Sequence, residues 1–255
     1  MLTPAALRQW PLPMPDDQGA KQSRGTVLVV GGSRQTPGAV LLAGNAALRA
    51  GAGRLQMAGP ESVATALAIH VPESLVVALP ETAGGDVSMA AGDVLDASLD
   101  GVTALLIGPG LQDAEESQAL VAELLNRVGP ETSVVLDGYG LRGLKPESVA
   151  ALAGRLVLTP NLGEAAELLG AAMDELGELP DVAARIAERF GAVVSLQGSV
   201  ADAEGNRWLD EGGHVGLGTS GSGDVLAGLV AGFLARGAGS AQATCWGAFI
   251  HSTAG

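Results

Sequence analysis

Basic residues are scarce in this chain: 14 Lys and Arg stand against 28 Asp and Glu in 255 residues, a formal charge of −14. Each phosphate of a nucleic acid or of an anionic membrane wants a cation opposite it, and no basic run occurs, so neither is expected as a main partner. Cysteine is almost missing. Cys245 stands alone, which excludes an intrachain disulfide and a thiolate metal cluster within one chain and fits a reducing cytoplasm. Long apolar runs are missing too: the longest, 225–235, has 11 residues between Asp224 and Arg236, against about 20 for a bilayer span. The N-terminus lacks the charged start and apolar stretch of a signal peptide, so a soluble, cytoplasmic protein is expected. Aromatic residues make up 3%, so the core must be built from Ala, Val and Leu. Repeats of 20–50 residues, low-complexity tracts and strong linkers are also missing.

Glycine is abundant, at 38 residues, and such a backbone turns sharply or approaches something closely in many places. The first 20 residues hold four prolines and read as an extended arm or cap, residues 1–24, ahead of one domain over 25–255. Thr26-Val27-Leu28-Val29-Val30 is apolar without alternation, the mark of a strand buried on both faces of a parallel sheet. Helical spacing over 38–50 and a strand at 54–58 complete a β-α-β unit. Further strands are expected at 75–79, 102–107, 133–136, 155–158 and 192–196, with helices at 60–69, 114–128, 146–153, 163–170 and 180–190. A polar hairpin over 198–210 breaks the alternation. The pattern predicts an α/β fold in three layers, a mostly parallel sheet covered by helices on both faces.

The sharpest motif is Gly218-Thr219-Ser220-Gly221-Ser222-Gly223-Asp224, which leads into an Ala/Gly-rich apolar helix. Small residues let backbone N–H groups converge, and the helix start adds its positive end, so Gly221, Ser222 and Gly223 are expected to form an anion hole for phosphate. A carboxylate beside an anion needs another task, such as taking a proton from a hydroxyl that attacks phosphorus. The bare pattern also admits a helix cap, with Asp224 bonding backbone donors only. No Lys follows the glycines, so this is not a Walker loop, and it does not close the first strand as a dinucleotide fingerprint would. Ser222 follows no strand directly, which argues against a serine hydrolase.

A second motif, Leu158-Thr159-Pro160-Asn161-Leu162-Gly163-Glu164, puts Asn161 and Glu164 three apart at a strand-to-helix junction, where the pattern alone is equally a capping box. His70, His214 and His251 are scattered without zinc spacing. His251 is expected to be a packed or helix-pairing histidine rather than a ligand.

The Gly-Ser-Gly-Asp turn resembles the catalytic turn of the ribokinase-like superfamily. Three further segments narrow this: 29–33 with 36–40 and 46–53, then Ile107-Gly108-Pro109-Gly110-Leu111, then Val135-Leu136-Asp137. In that order they are similar to the ADP/ATP-dependent NAD(P)H-hydrate dehydratases. The resemblance implies that Asp224 is the catalytic base and that Ala39, Gly110, Asn161 and Asp224 line a hydrated nicotinamide nucleotide. It implies that Gln197, Gly198, Ser199, Val200 and Ala201, with Gly223, hold ADP or ATP, and that Glu164 organises Mg²⁺ through water. A homo-oligomer and a further element beyond residue 255 are also implied. This sequence departs from the family where it has Asn161-Leu162-Gly163-Glu164 for His-Pro-Gly-Glu, Gln197-Gly198 for Lys-Gly, and Asp137-Gly138-Tyr139-Gly140 for Asp-Ala-Asp-Ala. Two alternatives stay open: a small-molecule kinase of the same fold, acting on a hydroxymethylpyrimidine, thiazole or sugar alcohol, and a nucleotide-binding regulator without catalysis.

Overall fold

The computed structural model describes residues 1–14, 24–213 and 215–255; the 15–23 part of the expected arm, and His214, lie outside the described residues. The strands are β1 (Thr26–Val30), β2 (Arg54–Pro60), β3 (Leu75–Leu79), β4 (Ala104–Ile107), β5 (Ser133–Leu136), β6 (Leu156–Leu158), β7 (Val193–Leu196), β8 (Ser199–Ala201) and β9 (Arg207–Leu209). Among the described residues they form one sheet in the order 3-2-1-4-5-6-7-8-9. From β3 across to β7 every pairing is parallel, with Val27 of β1 opposite Leu55 on one side and Ala104 on the other. The expected hairpin is present as the antiparallel pairs β7–β8 and β8–β9.

Alternate residues of the central strands enter two separate apolar cores. Leu28, Val30, Leu105, Ile107, Val134 and Leu136 face one, and Val27, Val29, Ala104, Leu106 and Val135 face the other. With side chains pointing to opposite faces in turn, only a strand apolar at every position can serve both cores.

Ten α-helices of the described chain fill the two outer layers: α1 (Pro4–Arg8), α2 (Pro37–Ala50), α3 (Glu61–His70), α4 (Ala91–Leu99), α5 (Ala114–Arg127), α6 (Pro146–Val149), α7 (Leu162–Leu169), α8 (Leu179–Phe190), α9 (Ser222–Ala235) and α10 (Ser240–Ala254). The first core is closed by Leu95 and Leu99 of α4, Leu120 and Leu124 of α5, Leu168 of α7 and Ile186 of α8. The second is closed by Leu7 of α1, Val40 and Ala43 of α2, Leu67 of α3, Val230 of α9 and Cys245 of α10. Burial pushes the Cys245 thiol up to about 12, so it packs as a small apolar group.

The N-terminal stretch is not simply extended. Thr3 caps α1 by accepting from Ala6 N, and Pro4 occupies the first turn, where a missing N–H costs nothing. Leu2 then donates its N–H to Leu209 O at 2.7 Å, and Trp10 stacks on Trp208 with ring centroids 5.9 Å apart. The arm therefore covers the β9 edge.

Helix α9 explains its own composition. A Cβ on Gly228 would overlap the backbone oxygen of Ala43, and one on Gly232 would stand 2.5 Å from Ala47 O. Helices α2 and α9 thus pack backbone to backbone, which brings the start of α9 beside the start of α2.

Candidate active site

The loops that leave the C-terminal ends of β1, β4, β5, β6 and β7 share one edge of the sheet, the edge where open α/β folds bind ligands. At β1 and β4 the loops are tied together. Gly32 N donates to Pro109 O at 2.7 Å, and the Thr36 hydroxyl donates to Gly110 O at 2.7 Å. A Cβ on Gly110 would lie 2.7 Å from Ala39 Cβ, so the structure brings Ala39 and Gly110 into contact. They form one wall.

Against α2 the start of α9 turns at Gly221, whose φ of 88° caps the helix in the left-handed region. Glycine alone adopts that conformation freely, and here a Cβ would also collide with Leu42 of α2. The helix cap is therefore Gly221, and Asp224 sits in the first turn without serving as cap. Ser222 N–H is taken by Thr219 O at 3.2 Å, and Val225 N–H by Gly221 O at 3.1 Å. Of the expected anion-hole positions, Gly221 and Gly223 keep backbone donors with no acceptor among the described residues, while the Ser222 hydroxyl pairs with His251 Nε2. Asp224 is half-buried, and desolvation by burial raises its pKa above the usual carboxylate range. A carboxylate in that state is a stronger base than an exposed one.

Asn161 and Glu164 form the capping box that their spacing allows. Asn161 Oδ1 accepts from Glu164 N at 3.0 Å, and Glu164 Oε2 accepts from Asn161 N at 2.8 Å. Burial raises the pKa of Glu164 as well. One residue that sequence reasoning left unassigned joins them. Asp137, at the end of β5, is 7% exposed and accepts the Thr159 hydroxyl at 2.7 Å. Burial, with smaller contributions from the charges of Glu164 and Asp224, pushes its pKa up to about 7. In the sequence it appeared only as the end of the Val135-Leu136-Asp137 segment and the start of Asp137-Gly138-Tyr139-Gly140, with no role attached. Among the described residues no group of three His, Cys, Asp or Glu stands ready to hold a metal ion alone.

Beside this acidic cluster lies a cavity of about 530 Å³, lined by Asn161, Gln197, Gly198, Ser222, Gly223 and His251 among others. Gln197 and Gly198 are the two central residues of the β7–β8 turn, with φ of 45° and 84°, the positive values a tight hairpin of right-handed twist demands. That turn holds Gln197 exposed at the cavity rim. Ser199, Val200 and Ala201 run on into β8, where they are 2%, 1% and 1% exposed, and their side chains are outside the cavity lining. His251 is half-buried, with Nε2 2.8 Å from Ser222 Oγ, so it pairs α10 with α9 as expected and also faces the cavity.

A family model described as NAD(P)H-hydrate dehydratase matches residues 27–255. The ADP-dependent (S)-NAD(P)H-hydrate dehydratase of Xanthomonas campestris pv. campestris is 45% identical over 258 residues, covering 100% of this chain and 86% of that protein. The bifunctional NAD(P)H-hydrate repair enzyme Nnr of Moorella thermoacetica is 39% identical over 96% of this chain but only 47% of its own length. This chain thus spans about half of that bifunctional relative. Among solved structures, a ribokinase-like superfamily protein from Enterococcus faecalis has a TM-score of 0.76 at 24% identity, covering 94% of this chain and 82% of that one. The ADP/ATP-dependent NAD(P)H-hydrate dehydratase from Bacillus subtilis, co-crystallized with ATP/Mg²⁺, has a TM-score of 0.74 at 27% identity, covering 94% of this chain and 83% of that one. The fold is ribokinase-like.

Proposed function

Because the chain belongs to the NAD(P)H-hydrate dehydratase family, we propose that it removes water from hydrated NADH and NADPH in a reaction driven by ADP or ATP. The observation that carries this reading is the position of Asp224. Its carboxyl is half-buried and raised in pKa by burial, and it stands in the first turn of α9 directly after Ser222 and Gly223, which line the 530 Å³ cavity.

In this reading the hydrated nicotinamide ring lies against Ala39, Gly110 and Asn161, and the nucleotide lies in the cavity near Gln197 and Gly198 with its terminal phosphate at Gly221, Ser222 and Gly223. Asp224 accepts the proton of the ring hydroxyl as that oxygen attacks the terminal phosphorus. An O–P bond forms, and the bond from phosphorus to the shorter nucleotide breaks. Loss of the new phosphate then breaks the ring C–O bond, with departure of a proton from the neighbouring carbon, and restores the double bond. Backbone donors at a helix start suit the charge that builds on the phosphoryl oxygens.

Carboxylate oxygens are the donors Mg²⁺ prefers, and Glu164 and Asp224 lie near enough for their charges to act on Asp137; among the described residues the three form no ready ligand set, which fits a cation held through water. Glu164 would hold it through water, together with the phosphates. Bound there, the ion would balance phosphate charge.

We also propose a cytoplasmic enzyme, in keeping with the single buried and unpaired Cys245. A homo-oligomer is supported by the β3 edge, where Leu75 is 59% exposed.

The test is to incubate the protein with chemically hydrated NADH, Mg²⁺ and either ADP or ATP and to follow reduced-nicotinamide absorbance. Recovery that requires nucleotide supports the proposal, and the more effective nucleotide identifies the phosphate donor. Nucleotide binding without recovery contradicts it.

A further inference from the structure

Ser222 is the first residue of α9, between the two glycines that carry the free backbone donors, and its hydroxyl has a partner on another helix: His251 Nε2 of α10, 2.8 Å away. Both residues line the cavity. Burial lowers the His251 pKa, so the ring is held neutral at pH 7 and one of its nitrogens carries no proton.

A hydroxyl has a single proton. If Ser222 donates it to Nε2, nothing remains for a ligand; if Nε2–H donates to Oγ, the hydroxyl proton is free to point into the cavity. A phosphate offers acceptors only. A phosphate at the start of α9 therefore selects the second arrangement, in which the histidine holds Oγ in place from behind and the hydroxyl donates forward.

We propose that His251 is a positioning residue that acts through Ser222, keeping Nε2–H on Oγ so that the Ser222 hydroxyl donates to the phosphoryl group in transfer. The inference rests on the reading of this cavity as the nucleotide site. It adds a side-chain donor to the backbone donors of Gly221 and Gly223, and it assigns a role to a histidine that lies outside the acidic cluster.

The test is a double-mutant cycle on nucleotide-dependent recovery of hydrated NADH, using Ser222→Ala, His251→Ala and the double variant, with His251→Gln as the conservative control. A hydrogen bond to a charged group sets the scale. Each single variant is expected to lose roughly 10- to 100-fold in kcat, and the double variant no more than the worse single one. His251→Gln, whose side-chain amide can supply the N–H, recovers most of the loss. The affinity for AMP, which lacks the transferred phosphate, stays within about twofold in all variants. Losses that multiply in the double variant, or AMP affinity that falls in step with kcat, overturn the proposal. Inactivity of the unmodified enzyme would instead overturn the reading of the cavity, so the two failures are distinguishable.

Discussion

Thr159 Oγ1 stands 2.7 Å from Oδ1 of Asp137, and both residues are buried where β5 and β6 end. The hydrogen bond favours the charged carboxylate, but burial outweighs it and raises the Asp137 pKa to about 7, so this carboxyl group near Asp224 carries less than a full charge at neutral pH. A partly protonated Asp137 lessens the like charge beside the proposed base.

Stability should carry the signature of that shift. A carboxyl whose folded pKa lies above its unfolded value of about 3.9 stabilises the fold most fully below the unfolded value. The contribution is lost as pH rises through the folded one, about 7. Asp137→Asn cannot ionise, so its melting temperature relative to the unmodified protein should climb between about pH 4 and pH 8. Melting curves that run parallel across that window would refute the assignment.

Glu164 serves the capping box and, in the proposed mechanism, the cation, and the two roles separate under substitution. A side-chain amide can still accept from Asn161 N–H, so Glu164→Gln should leave the melting temperature nearly unchanged while raising the Mg²⁺ concentration needed for half-maximal rate. Asn161→Ala, which removes a cap, should cost about 0.5–2 kcal/mol of stability. Magnesium titrations alongside thermal melts decide it, and an unchanged Mg²⁺ requirement in Glu164→Gln would confine Glu164 to capping.

Gln197 stands where the resemblance drawn from the sequence implies a lysine. Gln197→Lys restores a cation at an exposed position on the cavity rim, so affinity for ADP or ATP should rise roughly two- to fivefold. The gain should shrink as salt screens it. Calorimetric titrations at two ionic strengths check both points, and an affinity indifferent to the substitution would separate Gln197 from the phosphates.

Much of the fold was legible because its signals are local. The unbroken apolar run at 26–30 marked a strand between two cores, and the glycine-bounded pattern of α2 marked a helix. The box at Asn161 and Glu164 marked the start of α7. Helix α4 gave no such signal: its cap position is Ala90, with no side-chain bond to the helix start. Prolines made the N-terminal stretch look extended, although Thr3-Pro4 is itself a helix-start pair. The site divides the same way. Asp224 and its glycines were readable as a motif, whereas Asp137 owes its raised pKa to burial and charges that only the sheet order brings together. The Ser222–His251 bond likewise spans two helices and 29 residues of sequence.

The most direct test of the central claim is the ratio of phosphate released to NADH restored, measured with hydrated NADH, Mg²⁺ and ADP or ATP, for the unmodified enzyme and for Asp224→Asn. Phosphorylation followed by elimination predicts one phosphate per NADH and a rate lowered about 10²- to 10⁴-fold in the variant, the usual worth of a general base. In the unmodified enzyme, the acid limb of kcat/KM should lie above the ordinary aspartate range, as the raised pKa requires. Nucleotide consumed with a stable phosphate ester and no NADH restored, or an Asp224→Asn variant at full rate, would contradict the account.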